Sequence, residues 1–254
     1  MSGRKTVSDP RSDSAQSENP HQPLVHWAMS RDLVAYESAV AAMEGRANEI
    51  AHGNAPELVW LLEHPPLYTA GTGAKPDDLL NRDAFPVHQT GRGGQFTYHG
   101  PGQRVAYVML NIKQRFGGDV RAFTRALEHW IIDALARLGV TGLTIPGQTG
   151  VWVRLNEGGN AGQEGKIAAI GLRIRHGISF HGISLNADPD LAHYEGIVPC
   201  GLTGSLVTSL AALGVAGDLK AVDRALEAAF IQRFGAPIVH AAPPTSSGNP
   251  PSRT

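Results

Sequence analysis

Apolar positions along the chain recur at two periods, every three to four residues in three long segments and every one to two residues in several short ones. Leu33, Tyr36, Val40, Met43, Ala47 and Ile50 make one helical stripe, and Ser30 is placed to cap it. Val120, Phe123, Leu127, Trp130, Ala134 and Leu138 make a second over residues 119–138, with Gly139 as its stop. A third helix is predicted over 218–234, where Leu219, Val222, Leu226 and Phe230 share a face and Gly235 ends the run. Short apolar or alternating runs at 24–29, 57–63, 95–99, 104–111, 150–154, 166–175 and 178–186 read as strands. Strands interspersed with a few amphipathic helices predict an α/β (α+β) fold, with a mixed central sheet and covering helices.

The pattern fades at both ends. Residues 1–22 are polar, and residues 241–254 hold Pro243, Pro244, Pro250 and Pro251, so both are expected to be disordered tails around a single folded domain at 23–240. Hydrophobic residues are 42% of the 254 and charged residues 18%, enough for a packed core. Lys+Arg 22 against Asp+Glu 23 leaves a net charge of -1, which argues against nucleic-acid and membrane partners. No apolar stretch approaches the length of a membrane span, and no signal-peptide pattern opens the chain. One cysteine, Cys200, excludes an internal disulfide framework and a multi-cysteine zinc cage. A cytoplasmic monomer is the expectation.

Candidate chemistry gathers in three places. Cys200 sits in Val198-Pro199-Cys200-Gly201-Leu202, a turn in which a thiol is either a small packed residue or a nucleophile beside accessible backbone N–H groups. A nucleophilic role needs an activator, for which His64, His99, His176, His181, His193 and Lys166 are available. Lys166 stands where the glycine-rich stretch 156–165 meets an apolar strand; it is a snorkelling surface residue or a partly desolvated base. The block Arg92-Gly93-Gly94-Gln95-Phe96-Thr97-Tyr98-His99 packs polar side chains between glycines that let a ligand approach the main chain. Strand alternation puts His176 and His181 on opposite faces, which argues against a shared metal. Neither a dinucleotide-binding fingerprint nor a phosphate loop is present, so no cofactor is expected.

Five ordered blocks together resemble the lipoyl(octanoyl) transferases: residues 63–71, the block 92–103, Lys166-Ile167-Ala168-Ala169-Ile170-Gly171, residues 181–186, and Pro199-Cys200-Gly201-Leu202. The resemblance implies a biotin/lipoyl protein ligase-like fold and a two-step transfer of an octanoyl group. The donor would be octanoyl-acyl carrier protein. The acceptor would be a lysine on the lipoyl domain of a dehydrogenase complex or on the glycine-cleavage carrier. Cys200 would carry the acyl thioester and Lys166 would activate it, as base or as ion-pair partner. Arg92 to His99, Ala169-Ile170-Gly171 and Gly182-Ile183-Ser184 would bind substrate. The acyl chain is expected between segments 64–71 and 92–99, with N–H groups near Gly171 and Gly201 as oxyanion donors. A basic patch of Arg92, Arg173, Arg175 and His176 is expected to receive an acidic carrier. An ATP-dependent lipoate or biotin ligase on the same fold, and a non-catalytic module that binds lipoyl domains or acyl carriers, are the alternatives.

Overall fold

The computed structural model describes residues 23–155, 160–198 and 206–245; Cys200 and Gly201 lie outside them, as do residues 1–22 and 246–254 of the expected tails. The elements in chain order are β1 (Val25–Met29), α1 (Tyr36–Ala51), β2 (Glu57–Leu62), β3 (Leu67–Ala70), β4 (Val87–Gln89), β5 (Phe96–His99), β6 (Gln103–Met109), α2 (Ile112–Phe116) and α3 (Val120–Arg137). They continue with β7 (Gly142–Ile145), β8 (Gln148–Arg154), β9 (Glu164–Arg175), β10 (Ile178–Asn186), β11 (Leu206–Val207), α4 (Leu219–Phe234) and β12 (Ile238–Ala241).

Among the described residues nine strands form a mixed sheet in the order β12-β1-β2-β6-β10-β9-β8-β7, with β11 joined to β9. A second sheet, β4-β3-β5, carries three. Helices α3 and α4 cover one face of the large sheet. Alternation makes their helical stripes and the strands meet: Phe123, Leu127, Trp130 and Ile131 pack with Leu226 and Phe230 onto Val59, Leu61, Ala106, Val108, Val151 and Ile183. Trp130 is fully buried there, and its indole N–H donates to the Leu226 carbonyl at 2.8 Å. Asp119 and Asp218 cap α3 and α4 through the N–H groups of Ala122 and Lys220, and Gly139 and Gly235 end them with positive φ.

On the opposite face α1 packs over β1, β2, β6 and the start of β10, through Ala39, Met43, Ala47 and Ile50 against Ala28, Leu58, Trp60, Leu62, Tyr107 and Phe180. That helix begins five residues later than the stripe suggests. Ser30 does not cap it: its hydroxyl accepts the Trp60 indole N–H at 2.9 Å, and Ala35 holds the N-cap position. Leu33 is correspondingly exposed. The part of this face over β10, β9 and β8 is left for the small sheet to roof, and a cavity lies between the two.

Candidate active site

The cavity is about 380 Å³. It exists because the central strands present small residues where their neighbours present large ones. One row across the sheet reads Trp60, Tyr107, Gly182, Gly171 from β2 to β9, and the next reads Leu62, Val105, Ser184, Ala169. The serine and alanine positions open a trough, with the Arg92 side chain lying against Gly171, bounded by Tyr107 and Val105 on the β6 side and by Trp152 and Lys166 on the β8 side. Gly94, Gln95, Phe96, Thr97 and His99 roof it, and Tyr36 reaches in from α1.

Two departures from strand alternation aim polar groups into this trough. The β8–β9 register shifts between Val151 and Trp152, so that Val151 pairs with Ala168 and Trp152 with Lys166. Ile167 is the extra residue of this bulge, and it packs with Ala168 into the core on the helical face. Lys166 is thereby turned to the cavity beside Trp152, as bulges re-aim side chains elsewhere. It is buried, its Nζ donates to the Thr149 carbonyl at 3.0 Å, and it lies 4.8 Å from the Trp152 ring centroid. The second departure is His181, whose φ of 59° lies in the left-handed region. Its imidazole consequently lines the cavity, with its ring 6.1 Å from that of Tyr107. His176 also has positive φ, in the turn before β10, so the alternation argument that separated the two histidines does not apply.

The end of the trough at β6 is aromatic, and the Arg92 guanidinium is near enough to act on Tyr107, His99 and His181. His64 Nδ1 donates to the Val34 carbonyl at 2.6 Å, which leaves Nε2 to accept the Tyr107 hydroxyl at 2.6 Å. Burial lowers the His64 imidazole to about 4, against the smaller opposing effect of that backbone bond. His99 is lowered to about 3 by burial and by neighbouring His64, and donates from Nδ1 to Gln103 Oε1 at 2.6 Å. His181 is lowered to about 4 by burial, then by the positive charges of Arg92 and Arg173. All three are neutral at pH 7.

Of the residues singled out in the sequence, Lys166, Arg92, Gly94, Gln95, Phe96, Thr97, His99, Ala169, Ile170, Gly171, Gly182, Ile183 and Ser184 line this one cavity. Gly93 and Tyr98 do not. Gly93 is bonded to the Leu172 carbonyl, and Tyr98 alternates to the far side of β5, where it packs against Tyr68, Phe85 and Tyr194. Arg92 is not part of a basic surface. Its guanidinium is buried and donates to the carbonyls of Gly93, Thr69 and Gln95 and to the Thr69 hydroxyl, which fastens the roof to β3. Arg173, Arg175 and His176 remain exposed around the β9–β10 turn, Arg173 with Glu44 at 3.5 Å. Segment 64–71 does not line the cavity: His64 stands behind Tyr107, and β3 pairs within the small sheet. Gly171 sits in the β9–β10 ladder opposite Gly182, with a Cβ there meeting Arg92 Cδ at 2.8 Å.

Tyr36, Tyr107, Thr149, Gly150 and Trp152 complete the site and were not read from the sequence. Gly150 has the clearest signal. A Cβ there would meet Lys166 Cε at 2.6 Å, so only glycine lets the lysine pass.

Comparison with known proteins gives one answer. Residues 35–231 match the family model of the lipoyl protein ligase A/B catalytic domain. The octanoyltransferase of Caulobacter vibrioides is 61% identical over 211 residues, 83% of this chain and 92% of that protein. The octanoyltransferase of Paramagnetospirillum magneticum is 57% identical over 212 residues, 84% of this chain and 98% of that protein. Among solved structures, a lipoate-protein ligase A bound with ATP superposes with a TM-score of 0.68 at 13% identity, over 87% of this chain and 90% of that one. A bipartite lipoate protein ligase from Thermoplasma acidophilum gives 0.63 at 14% identity, over 89% and 88%. These two establish the shared fold. With its family model spanning most of the chain and relatives above half identity over nearly their whole length, the chain belongs to the octanoyltransferases of the lipoyl protein ligase A/B family.

Proposed function

We propose that the chain moves an octanoyl group from an acyl carrier protein thioester to the lysine of a lipoyl domain, through a thioester on Cys200. The observation that carries the reading is Lys166, a buried amine turned by a bulge into one end of a trough whose far end is aromatic. Chain connectivity supports the pairing with Cys200. The described chain leaves at Val198, whose N–H is bonded to the Asp78 carbonyl, and resumes at β11, where Leu206 and Val207 pair with Gly165 and Lys166. The described residues on either side of this stretch, Val198 and Leu206, are therefore both anchored, the second on the lysine's own strand.

In the first step the Cys200 sulfur attacks the thioester carbonyl carbon, and the carrier thiolate leaves. Lys166 takes the cysteine proton and returns it to the departing sulfur. One thioester replaces another, so the exchange is nearly balanced. In the second step the acceptor lysine attacks as the free amine, Lys166 receives the proton that the amine loses, and the cysteine sulfur leaves as the amide forms. That step runs downhill, and the cycle needs no ATP. Arg92 holds the roof, while the methylene chain displaces water from a trough whose histidines are neutral.

The experiment is intact-protein mass spectrometry after mixing with octanoyl-acyl carrier protein, without ATP or acceptor. A hydroxylamine-labile octanoyl adduct is expected on the wild type and absent from Cys200→Ala. An adduct on both, or a requirement for ATP and free acid, overturns the reading. Lys166→Ala is expected to acylate at least about 10²-fold more slowly.

A further inference from the structure

We propose that Glu128 is a positioning residue for Lys166: acting across the single peptide unit between Thr149 and Gly150, its carboxylate holds in place the carbonyl that holds the lysine amine. The inference rests on the acyl-transfer reading above, in which Lys166 activates the nucleophile, and names a residue outside the cavity on which that activation depends. Glu128 belongs to α3, whose Leu127, Trp130 and Ile131 pack onto the helical face of the sheet, and it does not line the cavity. Its Oε1 accepts the Gly150 N–H at 3.2 Å. Toward the cavity, the Lys166 Nζ donates to the Thr149 carbonyl at 3.0 Å. That N–H and that carbonyl belong to one trans peptide bond, so they point in opposite directions from a single rigid plane. A carboxylate on the helical side is thereby joined through the sheet to an amine in the cavity.

The strands leave this peptide free for the task. β8 is irregular on both of its sides: the register with β7 shifts between Leu143 and Ile145, and the register with β9 shifts between Val151 and Trp152. On the β7 side Leu143 pairs with Trp152 and Ile145 with Gln148, while pairing with β9 begins at Val151. Among the described residues, Thr149 and Gly150 therefore have no register partner in either ladder. Backbone groups released from a sheet must find other partners, and these two find Glu128 and Lys166. Gly150, with φ at 132°, supplies a backbone conformation that residues bearing a side chain rarely adopt. Removing the Glu128 carboxylate frees the plane to turn about its flanking bonds, and the Thr149 carbonyl turns with it.

The test measures single-turnover acylation of the full chain by octanoyl-acyl carrier protein, followed as the mass shift over a range of carrier concentrations. Glu128→Ala should lower the maximal rate constant by about 10-fold to 10²-fold, the cost of misplacing a reacting group by about 1 Å, and leave the half-saturating carrier concentration near wild type. Glu128→Gln still offers an oxygen to the Gly150 N–H and should recover most of the rate. In a Lys166→Ala background the loss of Glu128 should cost nothing further, because the two residues act as one unit. Glu128→Leu, which keeps the side-chain volume, serves if the alanine variant does not fold, and should slow acylation in the same way. An unaltered rate constant in a folded Ala or Leu variant overturns the inference. So does a glutamine variant as slow as alanine, a loss confined to the half-saturating concentration, or a penalty just as large without Lys166. A Lys166→Ala chain that acylates at the wild-type rate, or a wild type that does not acylate, overturns the acyl-transfer reading itself and this inference with it, so the two failures are distinct.

Discussion

Acidification from pH 7 to pH 5 should destabilise the fold before most carboxylates titrate, because His64, His99 and His181 are buried as neutral rings. A histidine free in water titrates at 6.5; the fold lowers these three to about 4, about 3 and about 4 respectively, with burial as the largest cause. Between those values and 6.5 the unfolded chain binds protons that the folded chain refuses. Stability is then fully present above 6.5 and falls as pH drops toward the folded values. For one such group the loss between pH 7 and pH 5 integrates to about 2 kcal/mol, and the three together to about 5 kcal/mol. Asp223 runs the other way, since burial raises its carboxyl and partial neutralisation on acidification relieves that cost. A loss of this size is comparable with the whole stability of many domains, about 5–15 kcal/mol. With a urea slope of about 2–3 kcal/mol/M for a domain of this size, the midpoint should fall by about 2 M between pH 7 and pH 5. His181→Asn, which suits the left-handed backbone at that position and cannot titrate, should remove about a third of the change. A midpoint that moves by less than about 0.5 M across this range would refute the argument, as would a His181→Asn chain with an unaltered pH slope.

Two other outcomes follow from the site. Gly150→Ala places a methyl group against Lys166 Cε, and displacement of the amine by about 1 Å should lower acylation by about 10²-fold, read by the mass-shift assay alongside an unchanged far-ultraviolet circular dichroism spectrum. Reversing Arg173 and Arg175 to glutamate should raise KM for the acidic carrier, flatten its salt dependence and leave kcat near wild type, whereas unchanged KM removes the β9–β10 turn from carrier docking.

Periodicity carried the fold a long way. Helix α3 runs over Val120–Arg137 with Phe123, Leu127, Trp130 and Ala134 buried, because its stripe is long and both ends carry capping residues. Short strands were harder. Leu67–Ala70, Val87–Gln89 and Ile238–Ala241 offer three or four residues each, too few for a period to show, and β12 is made by parallel pairing with β1. Ser30 misled for a different reason: a hydroxyl before an apolar stripe suits a cap, but the Trp60 indole claimed it first. At the site, the motif residues were legible as types and their facing was not. Even positions 182 and 184 and odd positions 169 and 171 share the trough because register matches them across the sheet, whereas Lys166 and His181 reach it only by breaking alternation. A bulge and a left-handed residue leave no periodic trace.

The bulge at Ile167 makes β9 two strands in opposite phase, joined end to end. Upstream of it, even positions face the cavity; downstream, odd positions 169 and 171 do. Deleting that single residue would leave Lys166 on the cavity side of one continuous alternation, whereas straightening the strand at its present length would carry Lys166 through the sheet into the layer formed by Val151, Val153 and Leu185. Straightening would move the amine from its carbonyl partner into hydrocarbon, which protein interiors resist strongly. The extra residue thus fixes which face of β9 Lys166 takes, although its own side chain packs into the core on the other side.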